Sequence, residues 1–216
     1  DLALSIAKQK NMNEEYLQIL ILKLNKLEEA LDYIAPPDNI SNNPENGLLI
    51  KDKIYLFDKF GEYFLKNGEN DKNIADLFFN RVTSFIERYI SSLSKSDIMQ
   101  LIQIFIVSDK FFMSLFEKMN SYGIEFNQSM IHRRIELYLS GKEENFKDKI
   151  LSMLRDEKYK GKYDSQYLMI LFKYKEFSEG IEVLSEILNK KQELLNIYMK
   201  KREYEKIINL RIDKNN

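Results

Sequence analysis

The chain has 216 residues, 44% of them hydrophobic and 31% charged, so it can bury a core and is not a disordered polymer. Its 33 Lys and Arg nearly balance 34 Asp and Glu, and a net charge of -1 supplies no field for nucleic acid or an anionic membrane. With no cysteine, disulfides, thiol catalysis and cysteine-based zinc sites are excluded within these residues, and 7 Gly with 3 Pro leave little punctuation for a many-stranded sheet.

No run approaches the roughly 18 apolar residues needed to span a bilayer. The opening DLALSIAKQK lacks an initiator Met and the apolar centre of a signal peptide. The chain therefore reads as an internal piece of a longer protein, and the absence of cysteine fits a reducing compartment. Asn39-Ile40-Ser41 and Asn127-Gln128-Ser129 match the glycosylation spacing and are taken as chance without secretory context.

In chain order, apolar residues recur at three-and-four spacing. Leu17, Leu20, Ile21 and Leu24 form one stripe, and Leu27, Ala30, Leu31 and Ile34 the next. Ile74, Leu77, Phe78, Phe85, Ile86 and Tyr89 form a longer one. This period predicts helices at 2–9, 14–25, 27–35, 50–67, 72–93, 97–106, 109–122, 129–140, 145–158, 165–174, 177–188, 191–200 and 203–211. Asp71, Ser96, Ser108 and Asp164 stand where a side-chain oxygen can cap a first turn. Ser94-Lys95-Ser96-Asp97 has the spacing of a capping box. Gly68, Gly123, Gly141 and Gly161 stand where runs stop and a left-handed residue can close a helix. Pro36 and Pro37 end the third helix, and residues 36–48 read as a polar connector within a single 1–216 segment.

The chain repeats itself. Tyr167-Leu168-x-Ile170-Leu171, a polar turn, then Phe177-x-Glu179-Gly180-Ile181-x-Val183-Leu184 matches Tyr16-Leu17-x-Ile19-Leu20, a turn, then Leu27-x-Glu29-Ala30-Leu31-x-Tyr33-Ile34. A third copy runs Leu195-x-Ile197-Tyr198, a turn, then Tyr204-x-Lys206-Ile207-Ile208-x-Leu210, about 27 residues after the second. Each copy is a helix–turn–helix unit. Ala30 and Gly180 hold the same place, where a small residue lets two helix axes approach; Ile207 breaks the pattern. The fold class expected is all-α, a right-handed α-solenoid of antiparallel helix pairs.

Chemistry-bearing patterns are sparse. There is no phosphate-binding glycine loop and no dinucleotide fingerprint. His132, the one histidine, reads as part of a polar helix face with Arg133 and Arg134. Glu14-Glu15, Glu28-Glu29 and Glu143-Glu144 are adjacent, and neighbours on a helix diverge by about 100°, so they do not converge as an acid–base pair. No catalytic residue, metal ligand or cofactor is expected. The run IMQLIQIFIVSDKFFMSLFEKM, residues 98–119, is apolar nearly all round. It reads either as a central buried helix or as a docking face whose anchors are Phe111, Phe112, Phe116 and Met119.

Taken in order, the segments ALSIAKQKNMNEEYLQILILKLNKLEEALDYI, KFGEYFLKN, IQIFIVSDKFFMSLFEKM, IELYLSGKEE and YDSQYLMILFKYKEFSEGIEVL with LLNIYMKKREYEKIINL resemble the α-solenoid of the vacuolar protein-sorting protein eleven family. That family supplies a core subunit of the HOPS and CORVET tethering complexes. The resemblance implies a β-propeller before these residues and a RING zinc domain after them. It implies a peripheral scaffold on the cytosolic face of late endosomes and vacuoles or lysosomes. Its direct partners would be the other class C tethering subunits, and Rab GTPases and SNARE proteins would be reached indirectly. A sister solenoid subunit, a clathrin-type coat or adaptor repeat, and an all-α ligand-binding or enzymatic domain remain the alternatives.

Overall fold

The computed structural model describes residues 2–37, 48–67, 72–141 and 145–212. Among them are thirteen α-helices, one π-turn and one 3₁₀ turn, with no strand, as the three-and-four spacing predicts. Internal contacts divide the chain into two compact units, 1–124 and 125–216. The division falls at residue 124 and not in the proline-bearing stretch 36–48, of which 38–47 lie outside the described residues together with the Asn39 sequon.

The first unit opens with α1 (Leu2–Gln9), α2 (Asn13–Gln18), a π-turn (Ile19–Lys23) and α3 (Leu27–Ile34). Two long helices follow, α4 (Ile50–Asn67) and α5 (Lys72–Tyr89), and they pack on each other. Next come α6 (Lys95–Gln103), the 3₁₀ turn (Ile104–Val107) and α7 (Asp109–Ser121), with α6 and the 3₁₀ turn lying on α4. Aromatic rings fill the space between. Phe78 meets Phe64 at 5.0 Å, Phe105 at 5.4 Å and Phe57 at 6.1 Å between centroids, and Phe79 stacks on Phe111 at 4.9 Å. Ion pairs such as Arg81–Asp32 at 2.6 Å and Lys118–Glu87 at 2.7 Å rim this core. Such partly exposed pairs contribute about 0–1 kcal/mol each.

The second unit contains α8 (Gln128–Ser140), α9 (Phe146–Arg155), α10 (Ser165–Tyr174), α11 (Ser178–Ile187), α12 (Lys191–Lys201) and α13 (Tyr204–Ile212). Its centre is α11, which contacts α9, α10 and α12. Leu168, Phe172, Phe177, Leu184, Leu194 and Tyr198 are buried along these contacts.

Several helix ends depart from the expected ones. The start of α6 is capped by Ser94 and not Ser96. Ser94 Oγ accepts from the Asp97 N–H while the Asp97 carboxylate accepts from the Ser94 N–H, a reciprocal box. Ser94 is extended, and α5 stops at Tyr89, before the expected residue 93, in a turn whose Ser92 and Leu93 N–H groups both donate to the Tyr89 carbonyl. Ser108 stands at the start of α7 but its side chain makes no capping bond. Asp164 caps α10 as expected, accepting from the Gln166 and Tyr167 N–H groups at 2.8 and 3.1 Å. Asn127, read only as a sequon, caps α8 through the Met130 N–H at 3.0 Å. Asp71 and Gly68 lie outside the described residues.

The closing residues differ more. Gly123 is left-handed at φ 73°, and the Ile124 N–H donates to the Met119 carbonyl, so it closes α7 as expected. Gly141 is extended at φ -77°, and Gly161 is left-handed but lies in the turn after α9, not at a helix end. The other left-handed closures are made by Asn11, Asn25, Glu176, Asn189 and Arg202. After four of them the next residue falls into one conformation: Met12, Lys26, Phe177 and Lys190 have φ between -82° and -94° and ψ between 68° and 81°. The amides of Met12, Phe177, Lys190 and Glu203 donate to carbonyls five residues back, the Schellman pattern. Asparagine tolerates this region well; Glu176 occupies it at a cost of about 1–2 kcal/mol. Glu176→Gly is therefore expected to raise unfolding stability by about 0.5–1 kcal/mol, less than the full strain because glycine loses more entropy on folding. A lower urea midpoint for that variant would count against left-handed strain at this turn.

The repeat survives this geometry with one adjustment. The Lys26 N–H donates to the Leu20 carbonyl, six residues back, where the Phe177 N–H of the second copy reaches Phe172, five back. The first copy's extra residue, Lys26, stands between the left-handed Asn25 and Leu27, whereas Phe177 follows Glu176 directly, and this puts Leu27, Ala30, Leu31 and Ile34 in step with Phe177, Gly180, Ile181 and Leu184. In both copies the first, second and fourth of these positions are buried. In the third copy Tyr204 and Ile208 are exposed and Ile207 half-buried.

Candidate interaction surfaces

Four aromatic and Met side chains of the 98–119 run carry the docking expectation. Phe111 is 7% exposed, and Phe112, Phe116 and Met119 are wholly buried. Phe111 lies against Phe79 and Phe105, and Phe112 packs on Phe116 at 5.9 Å. All four point inward. Val107, in the 3₁₀ turn, and Tyr122, just past α7, are the large side chains that this stretch leaves exposed.

The two small residues are both buried. Ala30 lies in α3, which packs on the π-turn, α4 and α5. At Gly180 an added Cβ would stand 2.6 Å from Phe177 Cδ1 and 2.7 Å from Phe172 Cδ2. Those two rings meet edge to face at 5.2 Å, so the bare α11 backbone forms the floor beneath them. A third such position, Gly61, escaped the repeat comparison. A Cβ there would run into Ile104 Cγ2 and stand 3.3 Å from Phe78 Cζ, which marks where α4 meets the 3₁₀ turn. A glycine inside an eighteen-residue helix costs up to about 1 kcal/mol against alanine, and that cost was the available signal.

Exposed apolar side chains lie elsewhere. Tyr167, Ile170 and Tyr174 share one face of α10 at i, i+3, i+7 spacing. Met199, Tyr204 and Ile208 are exposed on α12 and α13.

Two polar clusters stand out in the second unit. In one, Glu182 of α11 is nearly buried and accepts from Lys201 of α12 at 2.5 Å and from Lys206 of α13 at 2.9 Å. Burial pushes the Glu182 carboxyl up; the two lysine hydrogen bonds more than reverse this and hold it below the ordinary range. Tyr198 donates to Glu186 at 3.1 Å, and burial together with that carboxylate pushes its hydroxyl up to about 12. The cluster ties three helices together and leaves no free base.

The other cluster surrounds His132, which is half-buried on α8 and not simply part of a solvated face. Its Nε2 accepts the Asp164 N–H at 2.9 Å, and its ring stacks on Tyr167 at 4.6 Å. The Tyr167 hydroxyl donates to Glu136, which with burial pushes it up to about 12. Arg134, its neighbour but one on α8, is buried and donates to the Tyr138 hydroxyl at 2.7 Å. Because the acceptor nitrogen of His132 is taken by a backbone amide, it is not presented to a substrate as a base.

Among the described residues no three His, Asp or Glu side chains gather as a metal site, and no helix is long and apolar enough to cross a membrane. A shallow, open depression on α9 is lined by Asp148, Leu151, Ser152, Arg155 and Asp156. No protein-family model, no curated protein and no solved structure matches the chain.

Proposed function

We propose that the chain is a non-enzymatic scaffold segment of an endosome- and vacuole-associated membrane-tethering complex, built as a right-handed solenoid of antiparallel helix pairs. The observation that carries this reading is the ordered series of segments at 3–34, 59–67, 102–119, 135–144, 163–184 and 194–210 that resemble the vacuolar protein-sorting protein eleven family. The solenoid part draws support from the left-handed turn that recurs within all three sequence copies, at Asn25, Glu176 and Arg202. On this reading the protein works through buried interface, without cofactor or metal. It holds the other class C tethering subunits on the cytosolic face of late endosomes and vacuoles or lysosomes, and through them reaches Rab GTPases and SNARE proteins. Exposed apolar faces such as that of Tyr167, Ile170 and Tyr174 are the places for subunit contact, because large apolar groups left in water at helical spacing suit a partner helix.

The test is affinity purification of the full-length protein, with the co-purifying chains identified by mass spectrometry. Endosomal tethering subunits are expected. Recovery of coat subunits in their place moves the assignment to a clathrin-type adaptor, and recovery of neither sinks it.

A further inference from the structure

The single histidine of the chain joins two helices through an atom that must be free of protons. Asp164 starts α10: its carboxylate caps the helix, and its own N–H is donated to His132 Nε2 on α8 at 2.9 Å. Tyr167, in the first turn of the same helix, lies flat on the imidazole with 21° between the rings. One side chain thus holds both the cap residue and the first-turn aromatic of α10. An imidazole nitrogen accepts a hydrogen bond only in the neutral ring.

The charged groups around the ring are already engaged. From α10 come Asp164, whose carboxylate accepts two amides, and Tyr167, whose hydroxyl is held by Glu136. From α8 come Glu136 and Arg133, which pair with each other at 3.4 Å. The segment leading into Asp164 carries Lys162, paired with Glu125 at 3.0 Å. An imidazolium formed here meets no uncommitted carboxylate among these groups.

We propose that His132 is a proton-operated latch: neutral, it holds the start of α10 on α8 through the Asp164 N–H; protonated, it can no longer accept that bond and the start of α10 is released. Burial pushes the imidazole below its ordinary value of about 6.5, against the opposing pull of Asp164 and Glu136. The sign follows from linkage. A depressed folded-state value means the latch contributes its full stability above about pH 6.5 and loses it as pH falls through the window beneath. Release opens the Asp164 end of α10, while the Tyr167 hydroxyl stays tied to Glu136 of α8.

The experiment uses the whole chain. The histidine Cε1–H signal in a proton NMR titration is expected to have a midpoint below about 6.5. Amide exchange at Asp164, corrected for the intrinsic effect of pH, is expected to lose about tenfold protection for each unit by which that midpoint is depressed. Amides of α11 and α12 keep their protection over the same range. In His132→Gln the side-chain carbonyl accepts at every pH, so protection at Asp164 stays flat. In His132→Phe the stacking on Tyr167 remains but the acceptor is gone, so protection is low throughout. A midpoint at or above 6.5 overturns the latch. So does an equal loss in His132→Gln, unchanged protection in His132→Phe, or a loss shared by α11 and α12, which marks global unfolding.

Discussion

Replacing Phe78 with alanine is expected to lower the unfolding free energy by about 3–5 kcal/mol, the largest effect of any single truncation proposed for this chain. The ring is wholly buried, stacked on Phe64 at 5.0 Å and within 6.1 Å of both Phe57 and Phe105. Truncation there leaves a void as well as lost transfer energy, and the walls cannot close in. Phe57, Phe64 and Phe105 are rigid rings, and the residue facing the Phe78 tip is Gly61, with no side chain to turn inward. Val107→Ala, at an exposed position of the neighbouring 3₁₀ turn, serves as the control and is expected to change stability by less than about 0.5 kcal/mol. Urea midpoints followed by far-UV circular dichroism separate the two. A Phe78→Ala loss as small as that of the control would mean that the ring cluster is not packed as described.

Gly180→Leu is expected to destabilise the chain by about 3 kcal/mol or more, because the first added carbon already overlaps two rings before the rest of the side chain is placed. Gly180→Ala is the informative intermediate. Alanine gains up to about 1 kcal/mol of helix propensity over glycine. The overlap at 2.6–2.7 Å costs about 1–3 kcal/mol. The overlap prevails because Phe177 and Phe172 brace each other edge to face and neither ring can swing away alone. Combining Gly180→Ala with Phe172→Leu removes one of the braced rings. The pair is expected to lose less than the sum of the two single changes, a coupling that a double-mutant cycle reads directly. A Gly180→Leu chain as stable as the parent would contradict close packing as the reason for this glycine.

The helical class and the helix spans were legible in the residues because amphipathic spacing is a local property. Asp164 and the Ser94–Asp97 box were legible for the same reason: a cap and its amides lie within three residues. Gly61 was legible only as a costly glycine inside a helix; the Ile104 methyl that excludes a side chain there is distant in sequence and leaves no local pattern. The four anchors Phe111, Phe112, Phe116 and Met119 show a different limit. A helix with apolar residues on most sides can be surrounded by its own chain or by a partner, and residue type is the same in both cases. The π-turn at Ile19–Lys23 hid in plain view. The left-handed residue stands nine positions after Tyr16 and Tyr167 alike, so the aligned copies matched while the hydrogen bonds closing their first helices, six residues back in one and five in the other, did not.

The left-handed closures Asn11, Asn25, Gly123, Glu176, Asn189 and Arg202 are amide, glycine, acid and base, yet the chain reverses at each through main-chain hydrogen bonds. Asn and Gly hold four of these six junctions, and Glu176 and Arg202 take the same backbone path at a cost of about 1–2 kcal/mol each, so the reversal is set by the main chain and the side chain only tunes its stability.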